Sequence, residues 1–488
     1  MATEPERTYT RGFYALLAGQ VLIWLTLGLV LDLHPDEADH WVWSRYLSWG
    51  YYEHPPMVAW VIRFFCTILG NNQWAMEIGS QTLTLLTLTM VFRLARRQFG
   101  APAAFWAVLL LLAAPLYSAG SLIFVIDTPL LFFYCWAAQE FWTAFQQKRN
   151  GPLYRAGLAL GLALLSKFSA ILFPAAAFVF LLSSRERRAF LRNPHLWAAL
   201  LLALGLFMPF LVWNAGHHWI SLSSQLEKGL SGGRPGLQAL TFWFGQPLVL
   251  GPVLFGVMVL ALSRAFRSGW LRDDRRSYLL LLTAVPLLVF GLAAFKGKYT
   301  DPTWSDLAWP FAAVWTGHWL TERLPGWTRR RKWVAGSLIF LTGWLPLGLV
   351  AAHAVFPFLP VNLEQDRTLE LAGWRQLGQS LGREYDRFFP GPEPVYVLTD
   401  EYQLAGAVSF YTPRHPWPYT FAKTQRNIWT SLPELRRRGA LLVCRPGDCR
   451  ADREKAGALF SAVEKIKEVP VTRRGKVVKI FEVYFCRN

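Results

Sequence analysis

The stretch His34–Met57, HPDEADHWVWSRYLSWGYYEHPPM, decides how this chain is read. It follows directly on an apolar run, Tyr14–Val30, that reads as a membrane helix. Acids, histidines and aromatics crowd into one short span beside it. Carboxylates at a bilayer surface are not needed for anchoring, so they point to a place where something polar is held or deprotonated.

Working outward, the 488 residues are 53% hydrophobic, with 24 Trp and 35 Phe, and 17% charged. Soluble domains carry about 25% charged residues. The apolar residues come in blocks, and a crossing needs about 20 of them, fewer where helices are short or distorted. The expectation is a polytopic α-helical membrane protein with about eleven transmembrane helices. The stretches are Tyr14–Leu33, Ala75–Phe92, Ala103–Tyr117, Pro129–Phe145, Ala156–Ser166, Phe168–Leu182, Leu196–Trp213, Leu240–Leu262, Tyr278–Phe295, Leu307–Leu320 and Trp333–Val355. The first reads as a signal anchor, because it has no small-residue cleavage site and runs straight into the acidic loop.

A net charge of +18 raises nucleic acid as a partner, but the placement of the charge argues against it. Basic clusters sit at Arg93/Arg96/Arg97, Lys148/Arg149, Arg185/Arg187/Arg188/Arg192, Arg264/Arg267/Arg272/Arg275/Arg276 and Arg329–Lys332. They fall in alternate loops, as the positive-inside rule requires. Lys148/Arg149 and Arg185–Arg188 flank a short apolar pair, Ala156–Ser166 and Phe168–Leu182; sidedness makes the pair two crossings. The N-terminus is then cytoplasmic. The His34–Met57, Ser118–Thr128, Asn214–Ala239 and Lys296–Ser305 segments, and the C-terminal tail, lie on the far side.

The expected organisation is a membrane domain over residues 1–356 and an α/β domain over 357–488. In the tail, Pro394–Leu398, Ala440–Cys444 and Val477–Phe485 read as strands and Glu401–Phe410 as a helix. Of five cysteines, Cys444 and Cys449 are close enough in sequence for a disulfide in an oxidising compartment.

The candidate residues lie in the non-cytoplasmic loops. Asp36 and Glu37 follow the first helix; acids also begin helices for reasons of dipole alone. Tyr52-Glu53-His54-Pro55-Pro56 fixes a carboxylate and an imidazole before two prolines, and would equally serve as a turn before Met57–Leu69. Asp127, in FVIDTPLLFF, is an acid in an apolar stretch and a natural helix start before Thr128-Pro129. Lys167, in LALLSKFSAIL, is a lone cation that could snorkel or face an anion. Lys296, Lys298 and Tyr299, in FKGKYTDPTW, run against the positive-inside trend, and Arg234 sits in SGGRPG. Cations suit a phosphate, and a carboxylate suits deprotonation of a hydroxyl or amine.

The acidic pair after the first helix, the aromatic-acid-His-Pro-Pro segment, the Asp-x-Pro-Leu segment and a Lys in a Gly/Leu-rich helix together resemble the GT-C membrane glycosyltransferases. More narrowly, they resemble the protein O-mannosyltransferases and the lipid A aminoarabinose transferases. The resemblance covers about Tyr14–Val355, and YQLAGAVSFY at Tyr402–Tyr411 resembles the outer domain of bacterial members. It implies Asp36 as catalytic base, with Glu37 its acidic neighbour; Asp127 is counted with the catalytic residues as a second acid that orients rather than reacts. It implies cations for a lipid phosphate, with Lys167 the best match and Arg234 and Lys298 weaker ones; Lys296 and Tyr299 stand beside them as substrate-binding candidates. His54-Pro55-Pro56 matches the mannosyltransferase motif, but Glu53 stands near that family's Asp, so a divalent metal or acceptor role for Glu53 and His54 stays open.

The expected function is an inverting, polyprenyl-phosphate-sugar-dependent glycosyltransferase of the bacterial inner membrane, acting on a lipid A or lipopolysaccharide acceptor at the periplasmic face. The alternatives are a protein O-glycosyltransferase, a transporter or flippase of lipid-linked sugars, and a non-catalytic lipid-binding scaffold. Against transport, the polar residues cluster on one face and no inverted repeat is evident.

Overall fold

The computed structural model describes residues 4–230, 234–296, 300–359, 366–421, 427, 429–473 and 475–488. They divide into two units. The first comprises Met1–Leu25, Trp49–Val58 and Ile78–Leu347; the second comprises Thr26–Ser48, Ala59–Glu77 and Gly348–Asn488.

The first unit is helical, and each apolar stretch of the sequence carries helix. Among the described residues of the chain, five helices are long and apolar enough to span a membrane: Glu4–Gly28, Gln73–Phe99, Pro194–Gly216, Asp274–Lys296 and Arg329–Val355. The remaining stretches hold shorter or more polar helices, among them Ala101–Ala113, Asp127–Gln147, Gly151–Leu164 and Trp309–Arg323.

Two breaks matter. Leu240–Leu262, expected as one crossing, is two helices, Pro235–Leu250 and Pro252–Arg267. They meet at a bend of 105°, the geometry of a broken span or a re-entrant loop. The cause is local: Gly251 takes φ +86°, a left-handed conformation that glycine tolerates, and Pro252 starts the next helix at its first turn. The second break is at Lys167. The Gly151–Leu164 helix ends, Lys167 is extended (φ −158°, ψ 144°), and a 3₁₀ turn, Phe168–Ile171, leads into the helix Leu172–Leu182. The short apolar pair is therefore two helices interrupted at its one lysine.

The second unit is built on a five-stranded sheet, β1 (Tyr396–Thr399), β2 (Trp417–Thr420), β3 (Ala440–Cys444), β4 (Ala462–Arg473) and β5 (Lys476–Arg487), in the order β2-β1-β3-β5-β4. β1 runs parallel to β2 and β3, whereas β5 is antiparallel to β3 and β4. Both faces of the central strands are covered, so β1 and β3 read as near-continuous apolar runs. Val397, Leu441, Val443 and Val483 pack with Trp374, Leu377, Leu381 and Tyr385 of the helix Trp374–Phe388, and with Leu404 and Val408 of the helix Tyr402–Tyr411. The alternate residues, Tyr396, Leu398, Leu442 and Tyr484, pack with Leu435, Ala456 and Phe460 on the other face. Cys444 and Cys449 are disulfide-bonded, joining the end of β3 to the helix Cys449–Gly457; Cys66, Cys135 and Cys486 are free and buried.

The Pro35–Arg45 helix belongs to this second unit and packs on Tyr402–Tyr411. The approach is close enough to require glycine. A Cβ on Gly406 would lie 2.7 Å from the Asp39 amide nitrogen and 2.9 Å from its Cα.

Candidate active site

In the second unit, the chain from Asp32 to Glu37 is fixed at nearly every residue. Asp32 accepts from the Trp374 amide (2.9 Å) and pairs with the Arg375 guanidinium (2.9 Å). The Leu33 amide donates to the Tyr411 hydroxyl (2.7 Å). His34 caps the Pro35–Arg45 helix, and its Nε2 lies 3.3 Å from Glu370. That histidine contact, and Arg367 after it, hold the Glu370 carboxyl down at about 2. Glu37, buried, accepts from the His34 amide (2.9 Å) and so completes a capping box.

Asp36 is held differently. Its Oδ1 accepts from Gln403 Nε2 (2.9 Å) and, at the edge of hydrogen-bonding range, from the Tyr402 hydroxyl (3.4 Å). Its Oδ2 lies 3.6 Å from His34 Nδ1, and the side chain is 35% exposed. One carboxylate oxygen is oriented by neutral donors, and the group remains open to an approaching hydroxyl. Glu37 is the cap and Asp36 the reachable acid, although the two are adjacent in sequence.

In the first unit, Asp127 opens the Asp127–Gln147 helix, and its carboxylate meets Lys167 Nζ at 2.6 Å. The two side chains are 30% and 15% exposed. Asp306 is within electrostatic range of both and buried, with one carboxylate oxygen lacking a hydrogen-bond partner among the described residues. The Tyr117 hydroxyl donates to the Asp306 backbone carbonyl. Among the described residues, Lys167 therefore stands within electrostatic range of Asp127, Asp306 and Asp301, the first of which it already binds. The Glu53-His54-Pro55-Pro56 turn joins this cluster through the backbone: the Met57 amide donates to the Leu165 carbonyl (3.0 Å), two residues before Lys167. The turn is braced again where Gln225 Nε2 donates to the Glu53 carbonyl (3.0 Å) and the Ser221 hydroxyl donates to that of Tyr51. Glu53 is buried and His54 half-buried.

The weaker candidates fall elsewhere. Arg234 is the exposed residue preceding the Pro235–Leu250 helix, and Lys296 is exposed at the end of Asp274–Lys296. Lys298 and Tyr299 lie outside the described residues. For a metal, the donor set is thin. Among the described residues, one set of three His, Cys, Asp or Glu has its ligand atoms within 4.8 Å of one another: Cys444, Cys449 and Glu482. The two thiols of that set are in the disulfide. Glu53 and His54 belong to no such set among the described residues.

Sequence reasoning passed over Asp306, Gln403, His34 and Glu370. Asp306 sits where the Lys296–Ser305 loop meets the apolar run from Leu307, and was absorbed into that boundary. Gln403 lies inside YQLAGAVSFY, where a polar residue in an apolar helix was the available signal.

Comparison with known proteins follows the same lines. The family described as dolichyl-phosphate-mannose-protein mannosyltransferase matches residues 53–213. The chain is similar to the lipid A galacturonosyltransferase RgtD of Rhizobium johnstonii, 29% identical over 327 residues, 64% of this chain and 63% of that one. It is also similar to the undecaprenyl phosphate-alpha-4-amino-4-deoxy-L-arabinose arabinosyl transferase of Edwardsiella ictaluri, 26% identical over 423 residues, 81% of this chain and 69% of that one. The match thus spans a little under two thirds of the first relative's length. In structure, ArnT from Cupriavidus metallidurans superposes with a TM-score of 0.67 at 17% identity, covering 97% of this chain and 98% of that one. ArnT bound to undecaprenyl phosphate gives the same score. The resemblance to the GT-C membrane glycosyltransferases is shown by these matches, and the fold is ArnT-like.

Proposed function

We propose that this GT-C-type chain is an inverting glycosyltransferase that moves a sugar from a polyprenyl phosphate to a lipid acceptor of the lipid A or lipopolysaccharide class. The observation that carries the reading is the Asp127–Lys167 pair at a break between apolar helices. A lysine there is an anion site, and an acid partner keeps it charged until a phosphate replaces that acid. The relatives' names support it: one is a lipid A galacturonosyltransferase, another an undecaprenyl-phosphate aminoarabinose transferase.

In this reading Asp36 is the general base. The acceptor hydroxyl gives its proton to the Asp36 carboxylate as its oxygen attacks the anomeric carbon. The bond from that carbon to the phosphate oxygen breaks with inversion, and the polyprenyl phosphate leaves as an anion. Lys167 stabilises the departing charge, with Asp127 taking the lysine back after release. Gln403 and Tyr402 orient Asp36 but do not react. A single displacement needs no covalent intermediate. The topology adopted is N-terminus cytoplasmic and tail periplasmic, in the inner membrane, as the basic loops imply.

The test is transfer by the purified protein in lipid, with a radiolabelled undecaprenyl-phosphate sugar and a lipid A extract. Label moving to the lipid fraction is expected, and loss of transfer with donor still bound is expected for Asp36→Asn. Label crossing the bilayer without changing carrier would replace the reading with transport.

A further inference from the structure

The helix Arg329–Val355 is long and apolar, yet only 6% of its most apolar window is buried. It does not lie flat on the helix Ala101–Ala113. At Gly343 the two helices touch: a Cβ there would stand 2.6 Å from the Ala113 carbonyl. One residue on, Trp344 Nε1 donates to the Leu112 carbonyl (3.0 Å). Seven residues earlier, at Gly336, a Cβ would meet nothing within 4 Å. Seven residues are about 10 Å of helix, so the pair parts steadily toward its basic end and leaves a wedge.

That wedge is a cavity of about 480 Å³, walled by Tyr9, Trp106, Leu109, Leu320 and Phe340, with Lys332 at its rim. A second cavity of about 650 Å³ runs along the same helix beside the first, lined by Arg329 and Lys332 with Trp333, Ser337 and Leu341. Lys332, Gly336 and Phe340 line both, a stripe at helical spacing shared by two apolar slots. Among the described residues, the charged ones lining the two are Arg329 and Lys332, with no carboxylate in either lining.

We propose that this wedge holds an anionic glycerophospholipid, its phosphate against Arg329 and Lys332 and its two acyl chains straddling Gly336. Charge decides the headgroup: two cations with no acid among them complement a phosphodiester in the leaflet that the basic loops face. The pair of slots decides the tail. A two-chain lipid fills both slots, whereas a single-chain polyprenyl phosphate would fill one. The site lies apart in sequence from Lys167 and Asp127, and its lipid completes the packing of a helix that protein alone leaves uncovered.

The experiment titrates lipid-stripped protein in detergent with fluorescent phosphatidylglycerol, and separately with phosphatidylcholine. Saturable binding of phosphatidylglycerol is expected, weaker by about tenfold or more in Arg329→Ala/Lys332→Ala, since each basic residue near an anionic lipid contributes about 1 kcal/mol. Gly336→Trp fills the wedge and should abolish that binding. Its KM for the polyprenyl-phosphate donor should be unchanged, which also reports that the variant is folded. The double alanine variant keeps the test open should the tryptophan fail to insert. Equal binding of the two lipids, or wild-type binding in the double variant, would overturn the proposal. So would displacement of the probe by undecaprenyl phosphate together with a raised donor KM in Gly336→Trp.

Discussion

Replacing Gly406 by alanine should damage catalysis without touching any group that reacts. The new Cβ would stand 2.7 Å from the Asp39 nitrogen and 2.9 Å from its Cα, and these are backbone atoms that cannot rotate aside. Carbon contacts are comfortable at about 3.5 Å, so the Tyr402–Tyr411 and Pro35–Arg45 helices must part by about 0.7 Å. Gln403 precedes Gly406 by one helical turn, as Asp36 precedes Asp39. The same displacement stretches the Gln403–Asp36 bond from 2.9 Å to about 3.6 Å, where it is no longer a hydrogen bond. Overpacking costs about 1–3 kcal/mol, against which alanine recovers about 0.5–1 kcal/mol of helix propensity. The net loss of stability is therefore small, about 1–2 kcal/mol. Loss of a hydrogen bond to a charged group is worth about 1.5–3 kcal/mol, so kcat should fall about 10- to 100-fold. Donor KM should stay as it is, because the phosphate is assigned to Lys167. The assay is radiolabel transfer at saturating donor, with a melting curve to confirm folding. Gly205→Ala, where a Cβ meets nothing within 4 Å, is the control. Wild-type turnover in Gly406→Ala would refute the claim that Gln403 must be held against Asp36.

Lys167→Ala should raise the donor KM about 10- to 100-fold, since a charge-assisted phosphate contact is worth about 1.5–3 kcal/mol; an unchanged donor titration would return Lys167 to a merely structural ion pair. Burial, then the Asp400 and Asp448 carboxylates, push Asp452 up to about 6 from its usual 3.8, with Lys455 opposing. A folded-state value above the unfolded one means that the Asp452 contribution is fully present below pH 3.8 and lost as pH rises through about 6. Asp452→Asn should therefore melt higher than wild type at pH 7 and coincide with it near pH 3.5, as thermal scans across that range would show. Alkaline phosphatase fused after residue 390 should be active, because the basic loops place the tail outside; an inactive fusion would reverse the sidedness of every loop.

The membrane part was legible because most apolar blocks are long, and Asp127 and Lys167 stood out as charges where charge is costly. Their pairing was not legible: residues 40 apart meet through helix packing that no local pattern encodes. The bend at Gly251 carried a signal in Gly251-Pro252, which the apolar run on either side outweighed. In the tail, the apolar strands β1, β3 and β5 were visible. β2 is four residues with a proline, and the outer edge strand β4 is lysine- and glutamate-rich through most of its length, so neither shows the alternation of a half-buried strand. Apart from the family resemblance, which put the base at Asp36, the adjacent acids Asp36 and Glu37 look equivalent in sequence. Which one caps the helix and which stays open depends on His34 and Gln403, and only the fold brings those to them.

The central claim is that Asp36 takes the proton from the acceptor. Asp36→Asn keeps the size of the side chain while removing the basic oxygen. The measurement is single-turnover transfer from a radiolabelled polyprenyl-phosphate sugar by purified protein in lipid, alongside donor binding. The account predicts a fall of about 10²–10⁴-fold in the transfer rate, unchanged donor affinity, and a milder loss in Glu37→Gln that tracks its melting temperature. Near wild-type transfer by folded Asp36→Asn would contradict it.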